Sequence, residues 1–114
     1  MTRVIFTPPD PGAPLFVMVA NALGWTELHT VEGKFWGREP TGKLKMQIPR
    51  YDSSFCSTGP VMERFRIGVM WDHGQWIAQY STPEGHDQYQ GGDSPSQAVS
   101  RMVVHLHKKG LLTE

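Results

Sequence analysis

Ile67-Gly68-Val69-Met70-Trp71-Asp72-His73-Gly74-Gln75-Trp76-Ile77-Ala78-Gln79-Tyr80 decides the fold class. Two apolar-rich runs flank a polar turn at Asp72 to Gln75, which is the pattern of a β-hairpin. Alternation sets Ile67, Val69 and Trp71 on one face, and Trp76, Ala78 and Tyr80 share a face of the partner strand. Strands joined so tightly pair antiparallel.

Downstream, Ser81 to Asp93 is polar and shows no period, so it reads as a long loop. Ser94-Pro95-Ser96-Gln97 then has the form of a helix start, with Ser94 as N-cap, Pro95 in the first position and Gln97 completing a capping box. Ala98, Val99, Met102, Val103 and Leu106 share one stripe of that helix. Lys108 and Lys109 suit its C-terminal dipole, Gly110 is placed to stop it, and Leu111 can fold back on the last turn.

Upstream, Gly59-Pro60 cuts the segment from Phe55 to Arg66, with Pro60 opening a short helix over Val61 to Phe65. Lys43 to Ile48 alternates with period two, placing Leu44, Met46 and Ile48 on one face. Glu32-Gly33 separates two further strand-like runs, Thr26 to Val31 and Lys34 to Arg38. Ala13 to Leu23 is helical in length and apolar nearly all round, Asn21 being its one strongly polar member. Such a helix must run through the domain centre or cover its outer face with a second copy. Arg3 to Thr7 reads as an arm or edge strand, stopped by the prolines that follow, and Asp10 could cap the first helix. The order predicts a single α+β domain over residues 1–114. Its antiparallel sheet of about four to five strands packs with an N-terminal and a C-terminal helix in an α-β-α layered sandwich.

The order of motifs resembles the small phage proteins described as having an α-β-α sandwich domain. Leu23-Gly24-Trp25 closing the first helix, Pro49-x-Tyr51, the Trp71 and Trp76 hairpin, and Ser94-Pro95 opening the Ala98 helix carry the resemblance. It implies a phage or prophage origin and α-β-α layering, and it brings no activity and no catalytic residues with it.

Composition narrows the function classes. The chain has 114 residues, 39% hydrophobic and 19% charged, which suits one modest core. Eleven basic residues balance eleven acidic ones, whereas nucleic-acid binders draw affinity from a basic excess. Nucleic acid is therefore a disfavoured partner, although Arg38, Lys43 and Lys45 interleave with Trp36. Neutrality also removes charge repulsion as a barrier to self-association. The apolar run from Leu15 to Ala22 has no basic flank and is far shorter than the roughly 20 residues that span a bilayer. No membrane partner is expected. Cys56 is the one cysteine, so no intramolecular disulfide can form, and a reducing, cytoplasmic compartment is expected. Cys56 itself reads as a buried or half-buried small hydrophobe.

Candidate chemistry is sparse. His105 and His107 stand about 200° apart around a helix and cannot converge on one metal ion. No cofactor fingerprint and no nucleophile–base–orienter set is visible, which argues against an ordinary enzyme. The segment 81–93 supplies the candidate binding residues Glu84, His86, Asp87, Tyr89, Gly91 and Gly92. The first expectation is a non-enzymatic, phage- or prophage-encoded binding protein that blocks a host protein, for counter-defence or host takeover. An alternative is a homodimer joined through Leu15, Phe16, Val19 and Leu23 that holds a nucleotide-like anion near Gly91 to Ser94. A small hydrolase or transferase using His86 and Asp87 is the third.

Overall fold

The computed structural model describes residues 3–5, 14–42 and 45–112. The chain packs as two compact units, Met1–Pro49 and Arg50–Glu114. The proline turn at residues 8–12, Asp10, Lys43 and Leu44 lie outside the described residues.

The first unit carries β1 (Arg3–Ile5), α1 (Leu15–Ala22), β2 (Thr26–Val31), β3 (Lys34–Arg38) and β4 (Lys45–Gln47). Its sheet is antiparallel in the order β1-β2-β3-β4. Glu32-Gly33 makes the expected two-residue turn, with both residues at positive φ (52° and 78°). That is the primed geometry whose twist matches the flanking strands. Gly24 follows α1 at φ 96°, letting the Gly24 N–H reach Asn21 O and the Trp25 N–H reach Ala20 O. The chain therefore turns back at once after the helix. Phe16, Val17, Val19 and Ala20 are buried, and Phe16 meets Phe35 edge to face at 5.3 Å. On β4, Met46 is 40% exposed, whereas Ile48, just beyond the strand, is buried as the alternation predicts.

The second unit carries α2 (Phe55–Phe65), β5 (Gly68–Asp72), β6 (Gln75–Ser81), β7 (Asp87–Gly92) and α3 (Pro95–Lys108). The predicted hairpin is present as β5 and β6, pairing Trp71 with Trp76 and Val69 with Ala78 around His73-Gly74. The sheet order is β5-β6-β7. The strands thus form two sheets rather than the single sheet of four to five strands expected from the sequence, and the fold remains α+β.

Two further expectations are corrected. Residues 81–93 are not one loop, because Asp87–Gly92 is strand β7, antiparallel to β6. The loop shrinks to a tight turn in which the Gly85 N–H reaches Thr82 O, the Thr82 N–H reaches His86 O, and Gly85 sits at φ 86°. Proline at the second turn position and glycine in the left-handed one suit this three-residue hairpin connection. Gly59-Pro60 likewise does not break α2, which runs unbroken through Pro60. Pro60 removes one backbone donor, and the carbonyl it leaves is that of Cys56, an exposed residue rather than a buried one. The buried stripe of Thr58, Val61 and Phe65 outweighs that loss. Replacing Pro60 with Ala should raise stability by about 1–3 kcal/mol, read as a higher denaturant midpoint at unchanged slope.

Helix α3 begins as the sequence predicts, the Gln97 N–H donating to Ser94 Oγ at 3.1 Å. The reciprocal bond is displaced by one residue, the Asp93 N–H reaching Gln97 Oε1 at 2.7 Å. The helix ends with the Gly110 N–H on His107 O and the Leu111 N–H on Leu106 O, again a glycine-centred reversal. All five residues of the predicted stripe are buried, and Met102 and Leu106 are sealed completely. The helix approaches the sheet so closely that a Cβ on Gly92 would lie 2.6 Å from Ala98 N. A Gly92→Ala chain must move this backbone, so it should lose about 1–3 kcal/mol of stability. For a domain of this size that is a melting-temperature drop of several degrees per kcal/mol.

Candidate functional site

The register of the second sheet assigns each side chain to a face. Val69, Trp76, Ala78, Tyr80, Gln88, Gln90 and Gly92 share the face that α3 covers, as the Gly92–Ala98 approach requires. Gly68, Met70, Gln79, Ile77, Ser81, Asp87, Tyr89 and Gly91 share the other. On that second face Met70 is 44% and Tyr89 53% exposed, with Ile77 half-buried between their strands. An apolar group of Met70, Ile77 and Tyr89 therefore stands open on regular backbone.

A polar line crosses the same face. Ser81 Oγ donates to Asp87 Oδ1 at 2.5 Å, and the Tyr89 hydroxyl donates to Asp87 Oδ2 at 3.2 Å. The Ser81 bond, followed by those from Tyr89 and Gln79, holds the Asp87 carboxyl below the usual carboxylate range. The same contact works in reverse on Tyr89, where the hydrogen bond to Asp87 and then its negative charge raise the phenol above its ordinary value. Asp87 is thus a fixed carboxylate acceptor, and Tyr89 a neutral phenol whose ring is oriented by its own hydroxyl. Such a pair can accept hydrogen bonds and present a flat apolar surface.

Of the candidate residues in segment 81–93, the structure brings together Asp87 and Tyr89. Glu84 lies exposed in the tight turn, and His86 is exposed with its backbone N–H on Thr82 Oγ1 at 3.0 Å. Among the described residues no hydrogen bond joins the His86 ring to Asp87. Gly91 lies on the open face beneath Gln75, where a Cβ would stand 2.7 Å from Gln75 Oε1. Gly92 lies on the opposite face under α3, so the two glycines serve packing on opposite sides of one strand. Ser81, Gln79, Ile77 and Met70 are site residues that the sequence reading missed. Thr82-Pro83-Glu84-Gly85 was the signal for them, since a turn there extends the β6 alternation into β7.

The other candidates are placed as follows. Phe16 and Val19 are buried within the chain, and Leu15 and Leu23 are half-buried. Arg38 and Lys45 both approach Glu27, at 2.5 and 3.9 Å. His105 Nε2 lies 2.9 Å from Gln88 Oε1, while His107 is exposed. Among the described residues no group of His, Cys, Asp and Glu is arranged to hold a metal ion, and no helix is long and apolar enough to cross a membrane. Cys56, expected to be at least half-buried, is exposed because the buried stripe of α2 begins two residues later at Thr58. No family model matches the chain, and no curated protein matches it.

The hydrogen-bond line has a pH signature. Ser81→Ala should let the Asp87 pKa rise toward the ordinary carboxylate value, followed by carboxyl-carbon NMR titration. Asp87→Asn should let the Tyr89 phenol fall back toward its ordinary value, read by tyrosinate absorbance. The Asp87 contribution to stability is complete above the ordinary carboxylate pKa and fades as pH falls through the depressed one. That of Tyr89 is complete below the ordinary phenol pKa and fades as pH rises through the raised one.

Proposed function

We propose that the chain is a non-catalytic binding protein that engages a protein partner through the open face of its second sheet. The observation that supports this reading is the association of Met70, Ile77 and Tyr89 with a fixed acceptor at Asp87 on one surface. Aromatic residues and Met are enriched at protein interfaces, where a buried aromatic anchor ringed by satisfied polar groups carries most of the affinity. A neutral chain with two carboxylates, Asp72 and Asp87, and no lysine or arginine among the strand residues of this face suits a protein surface better than a polyanion. The resemblance to phage α-β-α sandwich proteins makes a host protein the partner to seek, with blockage of that protein as the outcome. On this reading the work is done in the bacterial cytoplasm, and no cofactor takes part.

A photo-crosslinking amino acid in place of Tyr89, with a control at Glu84 in the turn, tests this directly. The Tyr89 position should trap one bacterial protein that the control does not. That protein, once purified, should lose its own activity on titration with the wild-type chain. Tyr89→Ala should weaken the complex by about tenfold or more, as loss of an aromatic anchor does, while keeping the folded circular-dichroism spectrum. Equal binding by Tyr89→Ala would remove the face from consideration.

A further inference from the structure

The two edges of the second sheet are finished differently. The two-residue turn at His73-Gly74 makes Asp72 and Gln75 a pair that exchanges both backbone hydrogen bonds. By alternation, Met70 and Gly68 also bond inward to β6, and the N–H and C=O of Val69 and Trp71 point away from the sheet. On the far edge, the Thr82–His86 bond sets the opposite phase, so the outward groups are those of Asp87, Tyr89 and Gly91. There α3 intervenes, because Arg101 Nη1 donates to Gly91 O at 2.9 Å. Helix α3 lies over β7 and β6 and reaches β5 least.

Among the described residues nothing comparable protects β5, and no backbone bond outside the β5–β6 ladder involves Val69 or Trp71. The strand pairs over five consecutive positions without a bulge, and it contains no proline, lysine or arginine. Gly68, Met70, Trp71 and Asp72 are exposed, Trp71 to 60%. Native edges are normally blunted by one of those devices, and an edge without them is a template for another strand.

We infer that β5 is the seam of a homodimer, pairing antiparallel with β5 of a second copy to make a six-stranded sheet. Self-complementarity identifies the occupant. About a two-fold axis at Met70, Val69 stands opposite the partner's Trp71, and the outward groups of both strands form four backbone hydrogen bonds. The one charge on the strand, Asp72, falls opposite the partner's Gly68, so the two carboxylates stand at opposite ends of the seam. The whole strand is paired, and the net charge of zero brings no long-range repulsion. Met70 meets the partner's Met70, which joins the two open faces into one. This seam goes beyond the proposed function and requires no host protein.

Sedimentation velocity of the wild-type chain and of Met70→Lys, each across a concentration series, tests the seam. The wild type should sediment as a dimer, and Met70→Lys, which sets two ammonium groups against each other, as a monomer that keeps the folded circular-dichroism spectrum while its melting temperature no longer rises with concentration. A wild type that stays monomeric throughout, or a Met70→Lys chain that stays dimeric, overturns the inference. Amide hydrogen exchange on the wild type gives a readout free of any variant. Val69 and Trp71 amides should become protected as concentration rises, while Gly68 and Met70 amides are protected throughout. A dimer whose Val69 and Trp71 amides stay unprotected, or amides protected only when a host partner is added, also overturns it. Tyr89→Ala should leave the dimer intact, so failure of the seam and failure of the proposed function read out separately.

Discussion

The second unit depends on the close approach of α3 to its sheet at Gly92. With no side chain at that position, the strand backbone comes against the backbone of Ala98, and Ala78 on the neighbouring strand is fully buried. Small residues at the contact let the longer side chains of the α3 stripe, Met102 and Leu106 among them, be sealed from water. Each such burial is worth roughly 1.5–3 kcal/mol. The candidate surface of this unit follows from which face the helix takes. The face it covers becomes core, the other face stays open, and the edge it reaches is capped by Arg101.

A second constraint ties the helices together through one atom. The carbonyl oxygen of Tyr51 lies 2.7 Å from Thr58 Oγ1 in α2 and 2.9 Å from Ser100 Oγ in α3, and both hydroxyl residues are almost wholly buried. A buried carbonyl without partners would be costly, and here it is used twice. The same Thr58 hydroxyl lies 2.8 Å from Ser54 O at the start of α2, where no side chain caps the helix. This local bonding helps α2 begin at Phe55 and carry through Pro60, against the weak helix propensity of Gly59-Pro60.

What the sequence revealed of this fold was its local punctuation. Ser94-Pro95-x-Gln97, Gly110 and the alternation around His73-Gly74 each act over a few residues, and each appears where expected. What stayed hidden depended on partners far along the chain. The residues of β7, Asp-Gln-Tyr-Gln-Gly-Gly, have little strand propensity, and they form a strand because β6 offers a free ladder and the Pro83-Glu84-Gly85 turn returns the chain to it. The division of the strands between two sheets was equally unreadable, since alternation reports a face and not a neighbour. For the site, Asp87 and Tyr89 were legible as polar and aromatic residues in an unusual segment. Their companions Ser81, Ile77 and Met70 were invisible without the register.

The distribution of backbone strain bears on what kind of site this is. Among the described residues four other than glycine have positive φ: Glu27, Glu32, Arg66 and His73. Glu32 and His73 occupy two-residue turns and Arg66 ends α2, so those three serve chain reversal. Glu27 sits where the β2–β3 register slips, held by its contacts with Arg38 and Lys45, and its carbonyl meets His29 Nδ1. Each conformation costs on the order of 1–3 kcal/mol, and such cost gathers at active sites when a reacting group must be held in tension. Met70, Ile77, Ser81, Asp87 and Tyr89 are free of it, lying on regular antiparallel strands with the Asp87 carboxylate already satisfied. A surface so prepared loses little entropy on meeting a partner, which is what the proposed binding role asks of it.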